Sequence, residues 1–475
     1  MAPPPVPTLT INPLSVGLDA YHAVAAAHHA GIETVRATFE CVIESPDEGR
    51  LHVLAGVEPL VDALERFRIK SEEAQYLKEV GAVGSELARK LDGARFTCDV
   101  ACVPEGSLVC TGQPVVVIEG PFWQAQLVAS WVLSSIDGAT QVATQIARCA
   151  IAAEGSEIIE SGAILLGRLG GNALHARAAY VGGAGATTHA LAGRRYAIPV
   201  RALQPESFVL GARDEQAAFE AWLRAVPEQP IARVDYRDAA AGIDKIVAAA
   251  RARSTASWSD APIAIELAAS EVLDAWAYAY ERFAKAGLKE PVVVVSGVTT
   301  PEHVSDLRRS GAPIAAFVVA PIVSPEPRAR YDLVAIEQDG QWSPRLHVSQ
   351  THGPRGIPGR KVVLRYFDAD GHPVGDVTHA ANERHTPVRD ARLIDLRTGQ
   401  SVKLRDAASS APVLRTVMRA GKRSQTLEPA RELRERSLRA VQSLLPKHKR
   451  ATAPARYPSG VTPALAALRR DLSGA

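Results

Sequence analysis

The chain has few aromatic residues, almost no methionine and no strong charge of either sign. Phe, Trp and Tyr make up 5% of its 475 residues, there are two methionines, and 54 basic against 52 acidic side chains leave a formal charge of +2. Such a balance gives no bulk field to draw the chain onto nucleic acid or an acidic membrane. No apolar run approaches the ~18 residues of a membrane span. The five cysteines (Cys41, Cys98, Cys102, Cys110 and Cys149) are odd in number, scattered and without a CxxC pair. That argues against a disulfide framework and against a zinc site, and reads as buried, reduced thiols of a cytoplasmic protein. The start, MAPPPVPTLTINP, is proline-rich and uncharged and lacks the apolar centre of a signal peptide. What the chain does have is apolar mass. Hydrophobic residues make up 47%, enough for a large core and far from a disordered composition. At about 150 residues per domain, the length predicts two or three domains.

Along the chain, residues 1–13 read as a loose arm and Val16–Ala30 as a buried, Ala-rich helix. ATFECVI and LHVLAG are strand-like, short helical patterns follow to Lys90, and FTCDVACV and PVVVIEG read as strands around a PEGS turn. One long helical pattern spans about Pro121 to Ala153. The texture then changes. Short apolar runs alternate with helical segments: EIIE (157–160), the stretch near Ser207–Leu210, ARVD (232–235), IAIE (263–266), PVVVVS (291–296) and PIAAFVV (313–319). Repeated βα units predict parallel strands, in a barrel or a doubly wound sheet. From Tyr331 the pattern turns β-rich again. A charged helix at about Leu427–Leu445 precedes a basic tail, whose LPKHKR reads as a solvated helix end.

Active groups of a parallel α/β barrel sit at the carboxyl ends of its strands. Here those ends carry Glu160–Ser161–Gly162, Asp235 with Asp238 close behind, Glu266, and Ser296–Gly297, whose amides could face an anion. One acid after a strand is often only a helix cap, and that reading fits Asp238 equally well. Four such endings in one array predict a shared polar, phosphate-tolerant site. The stretch YVGGAGATTHALAGRRYAIPV (180–200) is the most distinctive: its glycines permit close backbone approach, and Thr187 and Thr188 could cap the helix that follows.

These residues resemble the nicotinate phosphoribosyltransferase family nearly end to end. Asp19-x-Tyr21, ATFE (37–40), LAGVE (54–58), VPEGS…PVVVIEGPFWQAQL (103–127), the 180–200 stretch and APIAAF (312–317) follow the family pattern, as do PGRK (358–361), VMRAGKR (417–423) and YPSGVTPALAALR (457–469). The resemblance implies an irregular α/β barrel of the type II phosphoribosyltransferase kind, flanked by a smaller α+β domain built from N- and C-terminal segments. The expected division is 1–135, 136–345 and 346–475. It also implies a homodimer with active sites at the interface. The reaction implied joins nicotinate to phosphoribosyl pyrophosphate in NAD salvage, with Mg and with ATP hydrolysis coupled through a phosphohistidine.

Several motifs depart from that pattern. Both arginines of EFGxRR become Ile164 and Leu165, while Glu160 and Gly162 persist. The phosphohistidine position is Glu206, followed by Ser207. Of LDSGD one acid remains, Glu266, and the glycine-rich phosphate loop reads Val318-Val319-Ala320-Pro321. Apolar side chains cannot replace a bidentate donor, and a proline has no N–H to give. Asp235, Asp238 and Tyr21, the residue expected to stack on the pyridine ring, persist. In the KxS motif after the barrel, His347 replaces the lysine and Ser349 remains. The sequence therefore predicts catalysis by Glu206, Asp235 and Asp238. Substrate contacts are expected from Tyr21, Glu160, Gly162, Thr187, Thr188, Ser207, Glu266, Ser296 and Gly297. Activity is expected to be impaired and ATP coupling lost, with no metal held by the protein itself. A catalytically inactive homologue with a scaffold or regulatory role is the alternative.

Overall fold

A computed structural model describes residues 12–45, 50–162, 172–255, 261–323, 328–351, 353–384, 387–426, 428–450 and 454–474. Most of the N-terminal arm and the positions Ile164 and Leu165 lie outside the described residues.

Seven antiparallel strands form the first sheet, in the order Gln341–Pro344, Ala329–Gln338, Arg36–Ile43, Pro114–Pro121, Asp99–Cys102, Arg415–Arg419 and Lys422–Arg423. An interior strand, RATFECVI, is buried from Ala37 to Ile43 and pairs on both sides, Phe39 opposite Ile118 and Leu333. β-branched and aromatic residues suit such a two-sided environment. Leu60, Leu64, Trp131 and Tyr21 complete its core.

The second sheet is parallel, in the order Ala186–Thr187, Glu157–Glu160, Ile314–Val319, Val292–Val298, Ala264–Ala268 and Ile231–Arg233. Helices Ala129–Ala152, Asn172–Gly182, Glu215–Ala225, Ala239–Thr255, Val272–Lys285 and Pro301–Arg309 cover one face. Ile158, Ile265, Val293 and Phe317 of the strands pack there against Ile146, Phe219, Ile243 and Phe283. The opposite, concave face carries Ile159, Ile231, Ala264, Val294, Ala316 and Val318 as a second apolar layer, with Leu203 packed on it. Apolar layers on both faces explain why these strands read as unbroken hydrophobic runs. Among the described residues the sheet keeps two edges, Ala186–Thr187 and Ile231–Arg233, so the barrel is a curled half-barrel.

A third, mixed sheet is built from the C-terminal part: Ser401–Lys403, Arg392–Ile394, Ser459–Val461, Pro373–Ala380, Lys361–Phe367 and Ser409–Pro412. The chain then returns to the first sheet, where Arg415–Arg419 pairs with Asp99–Cys102. Helix Ala430–Gln442 packs on Asn172–Gly182.

Two expectations about elements are corrected. The stretch near Ser207–Leu210 is not a strand but a short helix, Glu206–Gly211. Pro205 precedes it with φ fixed near −70°, Glu206 puts a carboxylate in its first turn, and only Val209 is buried, so no sheet partner competes. The long pattern from Pro121 is two helices, Phe122–Leu127 and Ala129–Ala152, parted at Val128.

Candidate active site

Pleat parity decides which strand-end groups can act together. Glu266 is in register with Val294 and Arg233, and Ser296 lies two residues beyond Val294. Val294 belongs to the concave layer. Glu266, Arg233 and Ser296 therefore rise from the concave face, just past its apolar floor, with Asp235 following two residues after Arg233. The Arg233 Nε donates to Asp235 Oδ1 at 2.7 Å, and its guanidinium lies 5.3 Å from the centre of the Tyr236 ring. The second Asp235 oxygen accepts from the Ala268 N–H. Burial pushes the Glu266 carboxyl up, Ser296 and Arg233 pull it back, and Asp235 adds to the rise. Net, it stands above its ordinary value, and its Oε2 is buried with no hydrogen-bond partner among the described residues. Gly297, at φ +79°, is exposed where the Val292–Val298 strand nears its end, and no atom lies within 4 Å of where a Cβ would stand.

Glu160 and Thr187 are brought together on the other face. They are in register with each other and with Val319, a member of the helix-side core. The Thr187 hydroxyl donates to Glu160 Oε2 at 2.6 Å, and the Thr188 N–H to the Glu160 carbonyl at 2.9 Å. Both Glu160 and Thr187 are buried. The cap of the following helix, Ala190–Tyr196, is neither threonine but His189, whose Nδ1 accepts from the Ala192 N–H. The neighbouring glycines serve packing. A Cβ on Gly182 would stand 2.3 Å from the Ala143 carbonyl oxygen, and one on Gly185 2.7 Å from the Glu157 carboxylate. The carbonyls of Gly183 and Ala184 are taken by Arg434.

Gly162 abuts the segment that stands where the family has its phosphate loop. A Cβ there would lie 2.8 Å from both Ala320 Cα and Pro321 Cδ. Pro321 is buried, and the next amide, Ile322 N–H, donates to Gln145 Oε1 at 2.8 Å. Asp238 is exposed and caps helix Ala239–Thr255, its Oδ1 accepting from the Ala241 N–H at 2.6 Å. Glu206 and Ser207 are exposed in the first turn of their helix. Tyr21 stands apart from all of these. It is buried in the N-terminal core, and its hydroxyl donates to the Pro13 carbonyl at 3.0 Å.

Three residues of the concave site escape a reading of strand ends. Arg233 sits within an edge strand and reads as surface charge. Tyr236 follows Asp235 and donates to the Gln204 carbonyl at 3.1 Å, tying the Glu206 segment to the sheet. Burial lifts its hydroxyl to about 12, and Glu266, Glu206 and Asp235 add to the rise. Gln204 is buried with neither side-chain amide atom partnered among the described residues. A buried polar side chain left open in this way is the signal that composition and spacing cannot give. The concave acids do not make a preformed cation site: Asp235 is engaged by Arg233 and a backbone amide. Among the described residues, the cluster of metal-ligating type is Asp368, Asp370 and His372 in a hairpin turn, with Asp370 exposed and the other two half-buried.

The nicotinate phosphoribosyltransferase (NAPRTase) N-terminal domain family matches residues 18–137, and the corresponding C-terminal domain family matches 360–469. The chain is 30% identical over 351 residues to nicotinate phosphoribosyltransferase pncB2 of Mycobacterium tuberculosis, covering 73% of this chain and 74% of that one. It is 25% identical to the human nicotinate phosphoribosyltransferase across 96% of both. The crystal structure of human nicotinic acid phosphoribosyltransferase superposes with a TM-score of 0.78 at 22% identity, covering 96% of this chain and 99% of that one. A nicotinate-nucleotide pyrophosphorylase from Pyrococcus furiosus gives 0.68 at 19%, covering 92% and 99%. With half-barrel, flanking sheets and whole-length kinship in agreement, the chain belongs to the nicotinate phosphoribosyltransferase family of NAD salvage.

Proposed function

We propose that the chain joins nicotinate to phosphoribosyl pyrophosphate, giving nicotinate mononucleotide and pyrophosphate, at a reduced rate and without ATP coupling. The observation that carries this reading is the concave constellation of Glu266, Arg233, Asp235 and Ser296 above an apolar floor. A few convergent polar groups over apolar walls suit a flat ring with polar substituents. The unpartnered Glu266 Oε2 is an acceptor waiting for a donor such as a ribose hydroxyl, and Arg233 offers a planar donor to a carboxylate or phosphate. The reduction follows from the segment Val318–Pro321, which is closed against Gly162 and lacks one amide hydrogen. Each lost contact to a developing charge costs on the order of 10²–10³ in rate. Loss of ATP coupling follows from Glu206, since a carboxylate can only form an acyl phosphate, a different intermediate from phosphohistidine. The test is an assay for nicotinate mononucleotide at high protein concentration, with and without ATP. Product formed at the same slow rate in both supports the reading; ATP stimulation with a base-stable phosphohistidine overturns it. The closed Val318–Pro321 segment also favours a second reading, a silent homologue kept for its surfaces. Absence of product together with absence of binding of both substrates would select it.

A further inference from the structure

A large cavity among the described residues lies away from the concave site. It is a cleft of about 530 Å³ where the first antiparallel sheet meets the C-terminal sheet and helix Pro463–Ser473. Five guanidinium groups line it, those of Arg328, Arg330, Arg397, Arg456 and Arg469. Three carboxylates face them: Glu44, Asp376 and Asp395. Asp376 is neutralised from behind the wall by Arg365, at 2.7 Å, and also accepts from the Tyr457 hydroxyl. Arg330 is engaged by both Glu44 and Asp332, and Asp395 is held by Arg456 at 3.0 Å. Among the described residues Arg469 has carbonyls for partners, Gly356 O at 2.9 Å and Pro354 O at 2.7 Å. Burial and then the like charge of Arg330 push it down. Arg328 has no side-chain partner among the described residues, although its backbone N–H is fixed by Asp137 at 2.9 Å. Even with Asp332 counted, the described side chains in and around the cleft carry more guanidinium groups (Arg328, Arg330, Arg365, Arg397, Arg456, Arg469) than carboxylates (Glu44, Asp332, Asp376, Asp395). Gly356, at φ +76°, keeps the approach to Arg330 open, since a Cβ there would stand 3.0 Å from its Nη2. The remaining wall is aliphatic, with Ile357, Val363, Leu396 and Val461.

We propose that this cleft is a second binding site, for a nucleoside polyphosphate-type anion. Arginine forks match phosphate geometry. The volume is that of a small-ligand pocket, more than a bare phosphate group would fill. The four aliphatic side chains offer a surface for a ring. None of the concave residues Arg233, Asp235, Glu266 or Ser296 lines it, so its occupation is separable from the reaction proposed above.

The test is calorimetric titration of the full-length chain with ATP, with inorganic triphosphate and with adenosine, in chelator and at fixed salt. Wild type is compared with Arg328→Gln and Arg233→Gln. Arg328 makes no described side-chain contact, so its replacement removes no bond of the fold; matching thermal unfolding of wild type and variant verifies this. ATP binding that Arg328→Gln weakens at least tenfold and Arg233→Gln leaves unchanged is the expected result. Triphosphate binding as tightly as ATP keeps the phosphate assignment and makes the source inorganic. Adenosine binding as tightly as ATP, loss of binding in Arg233→Gln alone, or no binding of either polyphosphate at millimolar concentration overturns the proposal. Because the readout is binding to a cleft variant, it stands or falls apart from the nicotinate mononucleotide assay.

Discussion

Lys361 carries its ammonium into the interior, 2.9 Å from Glu40, and donates to the carbonyls of Ile357 and Gly359 at 2.6 Å each. Both side chains are almost fully buried, and Glu40 Oε1 has no partner. Burial pushes Glu40 up and Lys361 down, and their mutual attraction opposes both shifts. Removing one partner of such a pair strands the other charge. Lys361→Met is expected to destabilise the fold by about 3–5 kcal/mol, while adding Glu40→Leu recovers most of that loss. Denaturant unfolding of the two variants checks it; equal stability of Lys361→Met and wild type would refute it. Glu266 gives a prediction of the opposite kind. Its folded carboxyl stands above the ordinary 4.5 because of burial. The native state therefore holds that proton more tightly than the unfolded chain, and stability falls as pH rises from 4.5 through the folded value. Glu266→Gln is expected to be more stable than wild type at pH 7, with the difference shrinking toward pH 4. Melting temperatures across that range decide it. A destabilised Glu266→Gln at pH 7 would mean the charged form is held by the fold.

Among elements, the turn at Val103–Ser107 fastens the half-barrel to the N-terminal sheet through one acid. Glu105 accepts from the backbone amides of Gly56 and Glu58 at 2.7 and 2.9 Å, and from Arg177 of helix Asn172–Gly182 at 2.5 and 3.1 Å. Burial alone would raise this carboxyl, but Arg177 and the two amides bring it below 4.5. Its contribution is present above 4.5 and lost as pH falls through the folded value. Glu105→Gln is therefore expected to lower stability at pH 7 and to flatten the acid limb of the stability curve. A curve superimposable on wild type would refute the role. The sequence shows PEGS only as a turn, because nothing in spacing reveals that an acid reaches Arg177, 72 residues away. The strands were easier: EIIE, IAIE and PVVVVS are apolar because both sheet faces are covered. Their polar ends Asp235, Glu266 and Ser296 were legible as strand ends, but which face each serves was not. Parity acquires meaning only with register, which places Glu160 with Thr187 on the helix side. Ser207–Leu210 misled because a short apolar run has no period of its own, and Pro205 decided it. The segment Val318–Pro321 yields one more expectation. With one amide missing and Gly162 closed against it, the expected loss is two charge-assisted contacts to phosphate, worth roughly 1.5–3 kcal/mol each. Titration with phosphoribosyl pyrophosphate and magnesium should give a dissociation constant near the millimolar range; a low-micromolar value would show that another group holds the phosphate.

At the scale of the whole molecule, the half-barrel leaves a concave face and two sheet edges that the described chain does not close. Leu191, Val200, Phe208 and Leu210 are exposed, all in the stretch 191–210 that follows the Ala186–Thr187 edge, Leu210 at 68%. Exposed apolar groups gathered in one part of a chain mark an association surface more often than single ones do. Tyr21 is buried in the N-terminal core, away from the concave residues of the same chain. Both facts, with the family kinship, favour a second copy as the missing wall. The expected state is a homodimer of about twice 50.6 kDa by light scattering at micromolar concentration. A stable pair needs about 1,200–2,000 Å² of total buried surface, which leaves room for one central apolar residue to matter. Leu210→Asp puts a charge on a largely exposed side chain. It is therefore expected to leave thermal unfolding of the protomer unchanged while raising the dimer dissociation constant at least tenfold. A monodisperse 50.6 kDa species for the unsubstituted chain would remove the dimer altogether. A dimer indifferent to Leu210→Asp would move the interface to another face and leave the concave site to be covered by its own chain.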